Sequence, residues 1–136
     1  MSIQRKSMLA VLVLPLVLSA CASGNTQGFL AVFRAPQIAW NDTSWCVPLE
    51  LKIALNKISR KFGPIKVHST HRWPLENARK GGKKRSYHLT CRAVDFSVPG
   101  DPREVKAYIR SLWEVGGYSY YPGGFYHIDN GPRRTW

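Results

Sequence analysis

Residues 86–96, SYHLTCRAVDF, place a serine, a histidine two positions on and an aspartate seven positions after that. The second half, Arg92–Phe96, reads as a core strand entered from a polar segment. The chain has four histidines and eight acidic residues in all, so His88 and Asp95 in one short stretch leave two readings. One is a strand with polar ends; the other is half of a metal site. Completing a site needs a further ligand, and FYHID (125–129) offers His127. It is flanked by Tyr126 and Ile128, so strand alternation turns its side chain to the face opposite theirs. Hydrolytic zinc takes three protein ligands and keeps one position open. Two neutral imidazoles and one carboxylate would leave the ion a net positive charge, enough to acidify a bound water.

Outward from this stretch, residues 71–85 are a polar connection without periodicity, rich in Lys, Arg and Gly. Loops of that length inside a small domain tend to be functional or disordered. Before it, IKVHST (65–70) alternates as a strand, with Ile65, Val67 and Ser69 on one face. Pro48–Phe62 has helical periodicity, gathering Leu49, Ile53, Ala54, Leu55 and Ile58, and Gly63-Pro64 ends it. After it, Asp101-Pro102-Arg103-Glu104 is a helix start, with an N-cap aspartate and proline in the first helical position. That helix runs to about Trp113, buries Val105, Tyr108, Ile109 and Leu112, and stops at Gly116-Gly117. YSYYP and FYHID then form a hairpin across Gly123-Gly124. This order predicts an α+β domain with a small, mainly antiparallel sheet and two main helices.

The first residues are of another kind. MSIQRKSMLAVLVLPLVLSAC has a basic start (Arg5, Lys6), an apolar run and small residues before Cys21. The run is too short, and too interrupted by Pro15, to span a bilayer, but it suits a signal peptide over residues 1–20. Leu18-Ser19-Ala20-Cys21 resembles a bacterial lipobox, which makes Cys21 the expected lipid attachment point. Residues 21–28 then read as a flexible tether, Phe29–Phe33 as a first strand, and 29–136 as the folded domain. The expected location is the cell envelope, anchored in the outer membrane and facing the periplasm. A formal net charge of +12 attracts polyanions. Export and the lack of a basic-aromatic binding motif argue against nucleic acid, leaving anionic envelope polymers. In an exported domain of this size the remaining pair, Cys46 and Cys91, points to a disulfide, with two buried free thiols as the alternative.

Ser86-x-His88-x6-Asp95, with Ala93 two residues before the aspartate, resembles the Ser-x-His-x-x-Gly-x-Ala-x-Asp motif of zinc D-Ala-D-Ala peptidases and their murein endopeptidase relatives. The Hedgehog signalling domain shares that fold and a nearly identical Arg-Ala-Val-Asp segment. YYPGGFYHIDNGPRRTW (120–136) is similar to the end of the YcbK-like murein endopeptidases, and VHSTHR stands where they carry a strand ending in Ser-Gly-Tyr-Arg. The resemblance covers roughly residues 46–136. It implies a Hedgehog/DD-peptidase-like fold and a zinc ion held by His88, Asp95 and His127. It also implies Arg72 as a catalytic, substrate-facing cation and Ser86 as a supporting residue near the metal. Ser86, Asn77 and His71 are the candidate substrate-binding residues. The implied activity is cleavage of peptidoglycan stem peptides or cross-links, as an endopeptidase or carboxypeptidase.

Three departures stand out. The motif glycine is Cys91, which either pairs with Cys46 or ligates the metal. The glutamate that many relatives carry three residues before the last histidine is Gly124, and the histidine that others carry two residues before it is Phe125. Asp129 is then the nearest candidate for the general base, with His71 second, although Asp129 could equally orient His127. The missing glutamate keeps open another reading, a non-catalytic, zinc-containing envelope-binding module.

Overall fold

The computed structural model describes residues 35–136. The expected signal peptide, Cys21, the tether and the strand at 29–33 lie outside the described residues. Six strands form one sheet: β1 (Ile38–Trp40), β2 (Ile65–Ser69), β3 (Ala93–Ser97), β4 (Gly117–Tyr121), β5 (Phe125–Asp129) and β6 (Arg134–Thr135), in the order β1-β2-β3-β5-β4-β6. The helices are α1 (Leu49–Phe62), a short α2 (Pro74–Arg79) and α3 (Pro102–Ser111), and a 3-10 turn spans Tyr87–Thr90.

The α+β class stands, but the sheet is mixed. The central β2-β3-β5-β4 pairs are antiparallel, while β1 joins β2 and β6 joins β4 in parallel. Both parallel strands are short edge pieces whose partners come from crossovers rather than hairpins, which is why local patterning does not reveal them.

Core-facing residues follow the two periodicities. Leu51, Ala54, Leu55 and Ile58 of α1 and Val105 and Ile109 of α3 meet Val67, Val94, Phe96, Tyr126 and Ile128 of the sheet, all buried. Leu49 departs from the expected apolar stripe: it stands in the first turn of α1 and is exposed. The α1 helix ends as expected at Gly63, in a positive-φ conformation with its N–H bonded to the carbonyl of Ser59. The α3 helix starts on the Asp101 cap, whose carboxylate accepts the N–H of Arg103 at 2.7 Å, but it ends at Leu112, before the glycines. Gly117 instead opens β4, where a Cβ would lie 2.4 Å from a carboxylate oxygen of Asp129 and 2.8 Å from the Arg134 guanidinium. Its missing side chain makes room for that ion pair.

Alternation splits the sheet. Val94 and Phe96 of β3 and Tyr126 and Ile128 of β5 face the helices, which leaves Asp95, His127 and Asp129 on the other face. One irregularity recruits β2 as well. Val67 pairs with Phe96, but Ser69 pairs with Asp95, so a bulge between them moves Ser69 off the face expected from simple alternation. A polar row Ser69–Asp95–His127–Ser119 then crosses four strands.

The connection at 71–85 is not a plain loop. Trp73 and Pro74 start α2, with proline in the first helical position, and Asn77 on it is buried.

Candidate metal centre

His88 is set on the 3-10 turn, while Asp95 and His127 stand directly opposite each other on β3 and β5. All three are buried. His88 Nε2, Asp95 Oδ1 and His127 Nδ1 form a triangle with sides of 2.8, 3.1 and 3.3 Å.

The far side of each ring decides what that triangle is. His88 Nδ1 lies 2.8 Å from the carbonyl oxygen of Thr70. A carbonyl only accepts, so Nδ1 carries the proton and Nε2 of the neutral ring presents a lone pair. His127 Nε2 lies 3.1 Å from Oδ2 of Asp129, and by the same reasoning its Nδ1 presents a lone pair. With both rings neutral, two lone pairs and a carboxylate oxygen face one point. Such an arrangement is stable only around positive charge.

The electrostatics agree. Burial drives Asp95 upward, but the His127 and His88 rings, when they carry protons toward it, outweigh burial by hydrogen bonding and charge and hold the carboxyl well below its usual range. Burial likewise drives His127 down, and Asp129 and Asp95 overcome it, leaving the ring raised. The pocket therefore draws a cation, whether a proton or a metal.

Supports run outward from each of the three residues. Thr70, which accepts from His88, is itself held by Asp42, whose carboxylate accepts its N–H at 2.8 Å, and by a 2.7 Å bond from its hydroxyl to the carbonyl of Thr43. Cys46 and Cys91 are joined as a disulfide across 45 residues. Cys91 closes the 3-10 turn in a left-handed conformation, φ 57°, and its N–H reaches the carbonyl of His88. Bonded to Cys46, Cys91 has no thiolate for a metal.

Several expected roles change. Arg72 does not stand free toward a substrate: its guanidinium pairs with Oδ2 of Asp95, its Nε bonds Ser69, and its side chain is largely covered. Asp129 does not fit a general base. It is fully buried and accepts from His127, from the N–H groups of Gly117 and Gly131, and from both terminal nitrogens of Arg134 at 3.1 and 2.6 Å. Burial pushes its carboxyl up, but these donors, His127 foremost, hold it below its usual range. With its lone pairs occupied, it has no room for a water's proton. Asn77 and His71 are absent from the cleft wall: Asn77 bonds the carbonyl of Lys83 at 2.9 Å, and His71 packs edge-on against Trp73. Ser86 does line the cleft, and its hydroxyl caps the turn that carries His88.

The cleft itself measures about 990 Å³ and is bordered by the three converging residues. Tyr121, Phe125 and Trp136 form an aromatic wall, with the Trp136 ring 5.2 Å from that of His127 and its indole N–H on the Tyr121 hydroxyl. Arg134 and Trp136 lie in the 120–136 stretch that resembles the relatives' end, but nothing local marks what each does. Their meaning depends on Asp129 and His127, which only the β5–β4–β6 pairing brings near.

A family profile described as Peptidase M15 matches residues 18–129. The chain belongs to the peptidase M15 family. Among curated proteins, it is 46% identical over 59 residues to a probable peptidoglycan L,D-endopeptidase MepK of Haemophilus influenzae, covering 42% of this chain and 31% of that protein. It is 38% identical over 58 residues to the peptidoglycan L,D-endopeptidase MepK of Escherichia coli K12, covering 42% and 32% respectively. The match thus spans about a third of the length of these relatives. No solved structure matches the chain significantly. The murein endopeptidase resemblance carried by SYHLTCRAVDF agrees with this family.

Proposed function

We propose that the chain is a zinc-dependent peptidase that cleaves the peptide part of peptidoglycan, at a stem peptide or a cross-link. The observation that carries this reading is the convergence of two imidazole lone pairs and a carboxylate oxygen on one point at the edge of the cleft. Tetrahedral zinc holds nitrogen and oxygen at about 2.0–2.2 Å, which spaces its ligand atoms roughly 3.3 Å apart. Separations of 2.8 to 3.3 Å fit that ion with little adjustment. A zinc ion held there would polarise a scissile carbonyl and activate a bound water.

The rest falls to the chain's own residues. Thr70 and Asp129 fix the tautomers of His88 and His127, and Arg134 holds Asp129 in place. Arg72 neutralises the outer oxygen of Asp95, leaving Oδ1 to ligate. The aromatic wall offers apolar contact to a peptide. The relatives' printed names support peptidoglycan as the substrate. The lipobox supports anchoring through Cys21 at the periplasmic face of the outer membrane, and the Cys46–Cys91 disulfide suits an oxidising compartment. Among the described residues no helix is long and apolar enough to cross a membrane.

Mass spectrometry of muropeptides incubated with the chain tests this. Fragments should appear with zinc, vanish with chelator and return on zinc addition. A zinc-loaded chain that releases nothing from intact or digested peptidoglycan rules the reading out.

One observation favours a second reading, a non-catalytic envelope-binding module. Among the cleft-lining residues, Asp95, Asp129, His88 and His127 are all engaged, which leaves no carboxylate or imidazole free to take a water's proton. Retention of peptidoglycan without cleavage, undiminished in Asp95→Ala, would select the module.

A further inference from the structure

The cleft wall is strongly basic. Arg72, Lys80, Lys83, Arg85 and Arg134 line it, against the carboxylates of Asp95 and Asp129 alone. Three of those cations are already matched: Arg72 by Asp95, Arg134 by Asp129 and Lys80 by Glu76. Among the described residues, no ion pair engages Lys83 or Arg85. Both are exposed at the wall of the cleft.

The segment that presents them is built. The buried Asn77 side chain donates to the carbonyl of Lys83, which also accepts the N–H of Ser86 at 3.0 Å, and the carbonyl of Asn77 accepts the N–H of Gly82 at 2.8 Å. Gly82 packs so closely on the Asn77 amide that a Cβ there would lie 2.1 Å from Oδ1. The backbone at Lys83 is therefore pinned to α2 on one side and to the turn carrying His88 on the other. Position follows from the aromatic wall. The Lys83 ammonium lies 6.0 Å from the Trp136 ring, which lies 5.2 Å from the His127 ring. The cation thus stands no more than about three residues of extended peptide from a metal ligand.

We propose that Lys83 and Arg85 form the receptor for a free carboxylate of the substrate peptide, within about three residues of the bond cut. They, not Arg72, would set a preference for acidic over amidated stem peptides. This rests on the peptidase reading and names what its substrate must carry. Two unpaired cations on a held backbone suit a carboxylate, and neutralising that carboxylate as an amide removes the charge-assisted part of the contact.

The test compares two cross-linked muropeptide dimers that differ only in whether the diaminopimelate carboxylates are free or amidated. The zinc-loaded full chain is expected to cleave the acidic dimer at least about tenfold more efficiently, a ratio that falls with added salt. In Lys83→Gln/Arg85→Gln that ratio should drop toward one. Arg103→Gln/Lys106→Gln, with the same charge change on exposed residues of α3, should keep it. A wild-type ratio near one, or a ratio that survives in Lys83→Gln/Arg85→Gln, overturns the proposal. Equilibrium binding of both dimers to the metal-free chain separates this from failure of the peptidase reading. If neither dimer is cut yet the acidic one binds tighter through Lys83 and Arg85, the receptor stands and the hydrolase does not. Equal binding removes the receptor whatever the activity.

Discussion

The two halves of the centre are held by different physics. Asp95 and His127 come from neighbouring antiparallel strands, directly opposite each other in register. Strands β2 and β4 flank them, and Phe96, Tyr126 and Ile128 fix the same strands from the core face. Once the sheet forms, those two side chains are placed, because moving either means slipping a register that would expose the core. His88 and Arg72 lie instead in the 70–91 connection, which has no register to obey. That half is clamped piece by piece: Thr70 and Asp42 behind His88, the disulfide at Cys91, and Asn77 under the basic segment. A ligand in a central strand comes with the fold, while a ligand in a connection needs fasteners.

The comparison predicts that the sheet half fails by chemistry and the connection half by looseness. Asp95→Ala or His127→Ala removes a ligand from a frame that should still form. Fragment release should fall by at least about 10³-fold, zinc binding should fall below detection by calorimetry, and circular dichroism should remain folded. Zinc binding at wild-type strength in either variant would remove the centre as described. In the wild type, chelation should lower the melting temperature by mass action, equivalent to about 4 kcal/mol when zinc stands at a thousand times its dissociation constant. Asp95→Ala should melt alike with and without chelator.

Loss of the disulfide is next. Cys46→Ser/Cys91→Ser frees a connection closed across 45 residues, and removing such a bond costs about 2–5 kcal/mol. Measured by urea unfolding of the metal-free chain, that loss should be accompanied by weaker zinc binding, because Cys91 ends the turn carrying His88. A variant that unfolds more easily but binds zinc as tightly as wild type would show that the disulfide staples the fold without steadying the ligand.

What could be read in the sequence follows the same division. The grouping of His88, Asp95 and His127 came from spacing together with the family resemblance, and the two long helices, the Asp101 cap and the β4–β5 hairpin from spacing and alternation. The structure brings the three side chains together and forms these elements. The strands β1 and β6 were not legible, since they are three and two residues long and pair in parallel with distant partners. The bulge that turns Ser69 to the site was hidden because it depends on β3 register. Arg72 was legible as a charged residue near the motif but not as the partner of Asp95. For Asp129 the sequence left two roles open, general base or support of His127, and the structure has it on the His127 ring. A charge on the page does not show its partner, and each proved to be matched within the fold. The Trp73-Pro74 helix start was present in the sequence and was masked by its basic, glycine-rich surroundings.

Asp129→Asn sharpens the sheet side at smaller cost. The amide can still accept from Gly117 and Gly131 but carries no charge, so His127 loses the partner that fixes its proton on Nε2. Outer partners of metal histidines are worth about 10–100-fold in metal affinity or activity. Zinc affinity should drop within that range. The unfolding midpoint should fall too, because the amide NH2 would face two donors, His127 and Arg134, but circular dichroism should remain folded. A loss as large as that of His127→Ala would instead make Asp129 indispensable to the chemistry.

The smallest effect should come from Asn77→Ala, under the basic segment. It removes one buried side chain–backbone bond to Lys83, worth about 0.5–1.5 kcal/mol net, and relaxes the contact with Gly82. Zinc affinity should be unchanged, because Asn77 touches none of the three ligands and His88 keeps its bond to Thr70. The preference for the acidic dimer should shrink, because Lys83 would sample positions away from the Trp136 ring and Arg85 sits on the same loosened segment. Unfolding, zinc titration and the acid-to-amide ratio measured on one preparation separate these effects. If zinc affinity falls with the ratio, the connection is one mechanical unit. If only the ratio falls, the ligand and the substrate receptor are fastened independently, although fewer than ten residues separate them in the chain.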